Sequence, residues 1–179
     1  MNLLRLLGRR DPRATAGQAL YVAAARQART PDFYTRYGVA DTPEGRFELY
    51  ALHVALLFGR LKGRGPAAAE AAQEVFDAFT RSLDDALREL GVGDVVVGKR
   101  MRGLVAAAYG RARVMEGALE QLPDATPLQA VLSRTVFEGR EGADAAPLAD
   151  YVARARAGLA AQSDETLLSG VADWAEVEV

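Results

Sequence analysis

The 179-residue sequence predicts an all-α protein: one compact domain of about six to seven helices, with no significant sheet. Three observations carry this reading. Alanine, leucine, arginine and glutamate are abundant, and long runs lack β-branched residues, which favours helix over strand. Apolar residues recur at helical spacing, most clearly Phe76, Phe79, Leu83, Leu87 and Leu90. Proline and glycine punctuate the chain where helices should start and stop, as at Thr42-Pro43 and Gly91.

The elements follow in order. Residues 1–12 form a flexible basic segment preceding a single domain at 13–179. The first helix runs from about Ala14 to Arg29, with Leu20, Ala24 and Ala28 on one side and Tyr21 and Val22 beside them; Pro31 stops it. Residues 30–41 are expected to be a loop. They hold Phe33, Tyr34 and Tyr37 within five residues, so this loop either packs down on the domain or presents a sticky surface. The second helix has Thr42 as N-cap, Pro43 in the first turn and Glu44 facing the helix dipole, and it reaches about Lys62. Phe47, Leu49, Leu52, Leu56, Leu57, Phe58 and Leu61 cover most of its circumference, which places it centrally.

A third helix spans roughly Ala67 to Leu90. The valines of GVGDVVVG (91–98) belong to a lead-in or the first turn of a fourth helix, with Asp94 as its cap. That helix continues from about Val97 to Leu122 on a stripe of Met101, Leu104, Val105, Ala108, Met115, Leu119 and Leu122. Its Gly103, Gly110 and Gly117 recur every seven residues; either another helix comes close there or the spacing is accidental. Three shorter helices complete the chain: from Thr126 to about Phe137, from Pro147 to about Ala161, and from a Ser163 cap to about Trp174.

Composition removes several function classes. The chain has no cysteine, so disulfides, thiolate metal sites and cysteine nucleophiles are excluded, and its one histidine, His53, cannot build a multi-histidine site. There is no phosphate loop, dinucleotide fingerprint or nucleophile elbow. Asp77, Asp84 and Asp85 alternate with arginines and read as a self-paired solvated face. No cofactor, no metal and no catalysis are expected. No apolar run is long enough to span a bilayer and no signal peptide is evident, so the expected location is cytoplasmic.

Charge runs along the chain. Residues 1–64 carry 11 Lys+Arg against 5 Asp+Glu, whereas residues 138–179 carry 3 against 9. Either the ends neutralise one another, or a basic face meets an anionic surface such as a membrane or RNA. Arg36, Lys99, Arg100, Arg102 and Arg111 are the candidate basic residues. His53 reads as a hydrogen-bonded core residue, its partner a carboxylate such as Asp41 or Glu48, or a backbone carbonyl. Arg46 either pairs with Asp41 to pin the aromatic loop or forms, with Glu48, the rim of an aromatic-lined patch.

The segments ARTPDFYTRYGVADTPEGRFELYALHVALLFGRL (28–61), VFDAF (75–79), LDDALRELGVGD (83–94) and GKRMRGLVAAAYGR (98–111), in that order, resemble the ubiquinol–cytochrome c chaperone family. The likeness covers roughly residues 10–140. Ala40 departs from it, where the family's GVPDT carries proline, with consequences for loop stiffness only. The resemblance implies an all-helical assembly factor for the cytochrome bc1 complex. It implies cytochrome b or other bc1 subunits as client, with a small partner protein and the ribosome exit nearby. It also implies action on the cytoplasmic side of the inner membrane, peripheral to it. With Phe33, Tyr34, Tyr37, Asp41, Arg46, Glu48 and His53 as the client-binding candidates, this reading expects an exposed aromatic patch. The competing reading is a small-molecule or lipid-binding protein or enzyme, which would need an enclosed pocket around His53, Asp41 and Arg46.

Overall fold

Local chemistry places the helices. In the computed structural model, which describes residues 15–177, Thr15 caps α1 (Ala16–Ala28) by accepting from the Gln18 N–H, while the Gln18 side chain accepts from the Thr15 N–H. This reciprocal pair satisfies two otherwise orphaned donors. Thr42 caps α3 (Pro43–Leu61) through the Gly45 N–H at 3.1 Å, with proline in the first turn, as expected. The remaining helices are α2 (Asp32–Thr35), α4 (Pro66–Glu89), α5 (Asp94–Leu119), α6 (Thr126–Thr135), α7 (Ala146–Ala161) and α8 (Asp164–Leu168). All seven expected helices form, and no strand occurs among the described residues. The eighth, α2, is a single turn inside the segment read as loop. The expected basic segment at 1–12 lies outside the described residues.

One core unites the elements, and α3 is its centre: it packs against α1, α4, α5 and α7. Leu49, Leu52, Leu56, Leu57 and Leu61 are buried along it. α1 lies against α4 and α3, and α6 bridges α5 to α7. α1 and α4 approach closely at Gly17, where an added Cβ would sit 2.3 Å from the Cβ of Glu74 and 2.4 Å from the Ala71 carbonyl oxygen.

Several expectations need correction. Gly103, Gly110 and Gly117 do not admit a neighbouring helix; open space lies beside each, because α5 packs through its opposite face, led by Val97, Met115, Ala118 and Leu119. Gly93 rather than Asp94 caps α5, so the valines fall in its first turns. Leu90, read as the end of the apolar stripe of its helix, is 63% exposed. α8 stops at Leu168 instead of continuing to Trp174. Gly170, at φ 79°, turns the chain there. Residues 171–177 then run as an irregular strap, tied down where the Gln27 side chain donates to the Ala175 carbonyl at 3.0 Å and Arg154 to the Glu176 carbonyl at 3.0 Å.

Candidate functional site

The sequence-predicted cluster divides into an inner and an outer half. Phe33 is fully buried and Tyr37 nearly so. The single turn of α2 directs Phe33 inward, where its ring meets Tyr151 edge-on at 4.9 Å, His53 at 5.6 Å and Tyr37 at 5.9 Å. Tyr34 is half-buried, its hydroxyl donating to the Ala28 carbonyl at 2.9 Å. The expected exposed aromatic patch at Phe33, Tyr34 and Tyr37 therefore does not form. Burying these rings recovers more free energy than exposing them, at about 25 cal/mol per Å² of apolar surface.

His53 is sealed in the core. Its Nδ1–H donates to the Leu49 carbonyl at 2.7 Å, and its Nε2 accepts from the Tyr151 hydroxyl at 2.7 Å. A carbonyl can only accept, so the tautomer is set. Burial disfavours the imidazolium and holds the His53 pKa down to about 4, while the Leu49 contact works weakly the other way. Burial also pushes the Tyr151 hydroxyl up. The Trp174 indole closes over the histidine, edge-on at 5.0 Å. Among the described residues, His53 lines none of the five open clefts that the helices form.

Glu48 is buried and held bidentately by Arg111, with both contacts at 2.5 Å. Desolvation raises its pKa and the guanidinium opposes the rise. Arg111 thus belongs to an α3–α5 clamp, and its guanidinium also lies over the Phe47 ring at 5.6 Å. Arg36, capping the C-terminus of α2, pairs with Asp32 at 3.5 Å, apart from the run on α5. Of the basic candidates, Lys99, Arg100 and Arg102 stand exposed together at the start of α5. A further buried cation had no sequence signal: Arg60 donates to the Leu159 and Gln162 carbonyls and to Asp164, tying α3 to the α7–α8 turn.

Asp41 and Arg46 form the outer half. They pair at 2.6 Å in solvent, and the guanidinium holds the Asp41 carboxyl below its ordinary range. They rim an open cleft of about 580 Å³ whose apolar wall includes Phe47, Tyr50 and Leu90. A second open cleft, of about 600 Å³, lies where α3, α4 and α5 diverge. Ala55, Phe58 and Gly59 line its α3 side, Phe76 its α4 side, and Tyr109 and Ala112 its α5 side. Phe76 and Tyr109 meet there at 5.6 Å. Tyr109 was invisible as a site residue because it falls outside the apolar stripe of its helix.

Among the described residues no group of three His, Asp or Glu is gathered to hold a metal ion, and no helix is long and apolar enough to cross a membrane. Polar groups that brace a core, together with open clefts walled by aromatic and small side chains, describe an all-helical protein with no gathered catalytic or metal group among the described residues. The chain belongs to the ubiquinol-cytochrome C chaperone family, whose model matches residues 35–174. It is similar to the Cbp3 homolog from Brucella abortus, seen in a crystal structure, with 37% identity over 98% of each chain and a TM-score of 0.84. No curated protein matches the chain significantly.

Proposed function

We propose that this chain is an assembly chaperone for the cytochrome bc1 complex that holds apolar helical segments of newly made cytochrome b. Family membership supports the bc1 role. The observation that carries the holding function is the cleft between α3, α4 and α5. Its walls join aromatic rings to small residues such as Ala55, Gly59 and Ala112, a surface that an apolar helix can approach closely. The Asp41–Arg46 cleft offers a second, polar-rimmed contact for the same client. In this reading Phe33, Tyr37, Glu48 and His53 hold α2, α3 and α5 in place rather than touching the client, and Tyr34 anchors α2.

The reading assigns the chain no catalysis and no cofactor. It treats residues 13–179 as one working domain behind a basic segment at 1–12, acting on the cytoplasmic side of the inner membrane with a small partner protein or ribosome nearby. The test is site-specific photocrosslinking during cytochrome b synthesis. A photoreactive residue at Phe76 or Tyr109 should capture cytochrome b, and one at Asp41 or Arg46 should do so more weakly. A strain lacking the chain should lose assembled bc1 complex. Normal bc1 levels in that strain, or no capture from either cleft, would sink the proposal.

A further inference from the structure

Between Val95 and Met115 the sequence of α5 carries Lys99, Arg100, Arg102, Arg111 and Arg113 and no acidic residue. Arg111 is spent on Glu48. The other four are exposed, and among the described residues none is engaged in an ion pair. Lys99 and Arg113 are separated by about 20 Å along the helix, at 1.5 Å per residue. Between them the outward surface is low: Gly103, Ala106 and Gly110 are exposed and raise no side chain beyond a methyl group.

Apolar side chains stand beside the cations. Val96, Tyr109 and Val114 are 46%, 56% and 49% exposed, and Leu90, at the end of α4, is 63% exposed. These four, with Val22 on α1, are the large exposed apolar residues among those described. Leu90 and Val96 flank the α4–α5 turn, so an aliphatic knob lies one helical turn before three exposed cations within four residues, Lys99, Arg100 and Arg102. Glu89 is the exposed acid at the α4 end of this turn.

We propose that the α4–α5 turn and the outer face of α5 dock on an anionic lipid surface, with Leu90 and Val96 entering the headgroup layer and Lys99, Arg100, Arg102 and Arg113 pairing with lipid phosphates. A run of positive charge between Asp94 and Glu116 of one helix, with no acid inside it, complements an anionic bilayer. The aliphatic residues distinguish the occupant: they gain free energy by leaving water for lipid, whereas RNA would reward planar or hydrogen-bonding side chains. The glycines lower the helix surface so that a flat headgroup layer can meet all four cations at once. This deepens the reading of the chain as a membrane-side chaperone. Its test involves no client, so each can fail without the other.

The test is co-sedimentation of the purified full chain with vesicles of phosphatidylcholine alone and of phosphatidylcholine mixed with phosphatidylglycerol. Binding to the mixed vesicles only, weakening with salt, is expected. Lys99→Gln, Arg100→Gln and Arg102→Gln combined should weaken it about a hundredfold. Leu90→Ser with Val96→Ser should leave binding that salt abolishes completely. Circular dichroism melts establish that the variants fold, and Arg36→Gln, at the end of α2, serves as a control that should bind normally. Failure to bind mixed vesicles, equal binding by the folded triple variant, or salt-sensitive binding to an RNA oligomer in place of vesicles would overturn the proposal.

Discussion

His53 shows what a single residue does here. It donates to Leu49, accepts from Tyr151 and is roofed by Trp174, so in the folded chain it stays neutral down to about pH 4. The unfolded chain takes up a proton near pH 6.5, while the folded chain refuses it until about pH 4. Below pH 6.5 the unfolded state therefore binds more protons, and stability falls as pH falls towards 4, by up to about 3 kcal/mol. Urea titrations at pH 6.5 and pH 4 should show this loss, and His53→Gln should flatten the difference between them. Subtracting the variant removes the separate acid-side contributions of Asp41 and Asp124, whose carboxyls are held low by Arg46 and Thr126. An equal pH dependence in the variant would refute the assignment. That His53 is a core residue could be read from its flanking leucines. Its hydroxyl partner could not, because Tyr151 lies 98 positions away and no local pattern marks the pairing.

The helices were legible because their signals are local: caps, first-turn prolines and apolar spacing need only a few neighbouring residues. Interfaces were not, and the glycines show why. Gly17 carried no periodic signal, yet it sits where α1 meets α4, and a Cβ added there would lie 2.4 Å from the Ala71 carbonyl oxygen. Gly103, Gly110 and Gly117 carried a conspicuous period and face open space. The two kinds of glycine should respond oppositely to alanine. Gly17→Ala must push α1 off α4 and should cost about 2 kcal/mol or more. Gly110→Ala meets nothing and should stabilise the fold by up to about 1 kcal/mol through helix propensity. Thermal denaturation of the two variants checks both signs. A destabilised Gly110→Ala would mean that α5 has a packing partner on its outer face within the fold. The aromatic loop failed as an exposed patch for a related reason: one turn of helix was enough to rotate Phe33 and Tyr37 into the core.

At the scale of the whole molecule, the chain closes on itself. The strap at 171–177 lies across α1, α3 and α7, and it holds Trp174, the chain's single tryptophan. If the strap belongs to the same cooperative unit as the helices, tryptophan fluorescence and far-ultraviolet circular dichroism should trace one coincident denaturant transition. Trp174→Ala should lower stability by about 3 kcal/mol by opening the space over His53. An earlier fluorescence transition would show the strap to be a separately melting layer. The same closure sets a timetable for synthesis. Gln27 and Ala175 are 148 positions apart, so their contact cannot form until residue 175 has left the ribosome. Until then Phe33 and His53, joined later by Tyr151, are without their tryptophan roof. A protein proposed to shelter nascent apolar segments is thus, until its own strap emerges, a nascent chain with an uncovered apolar segment of its own.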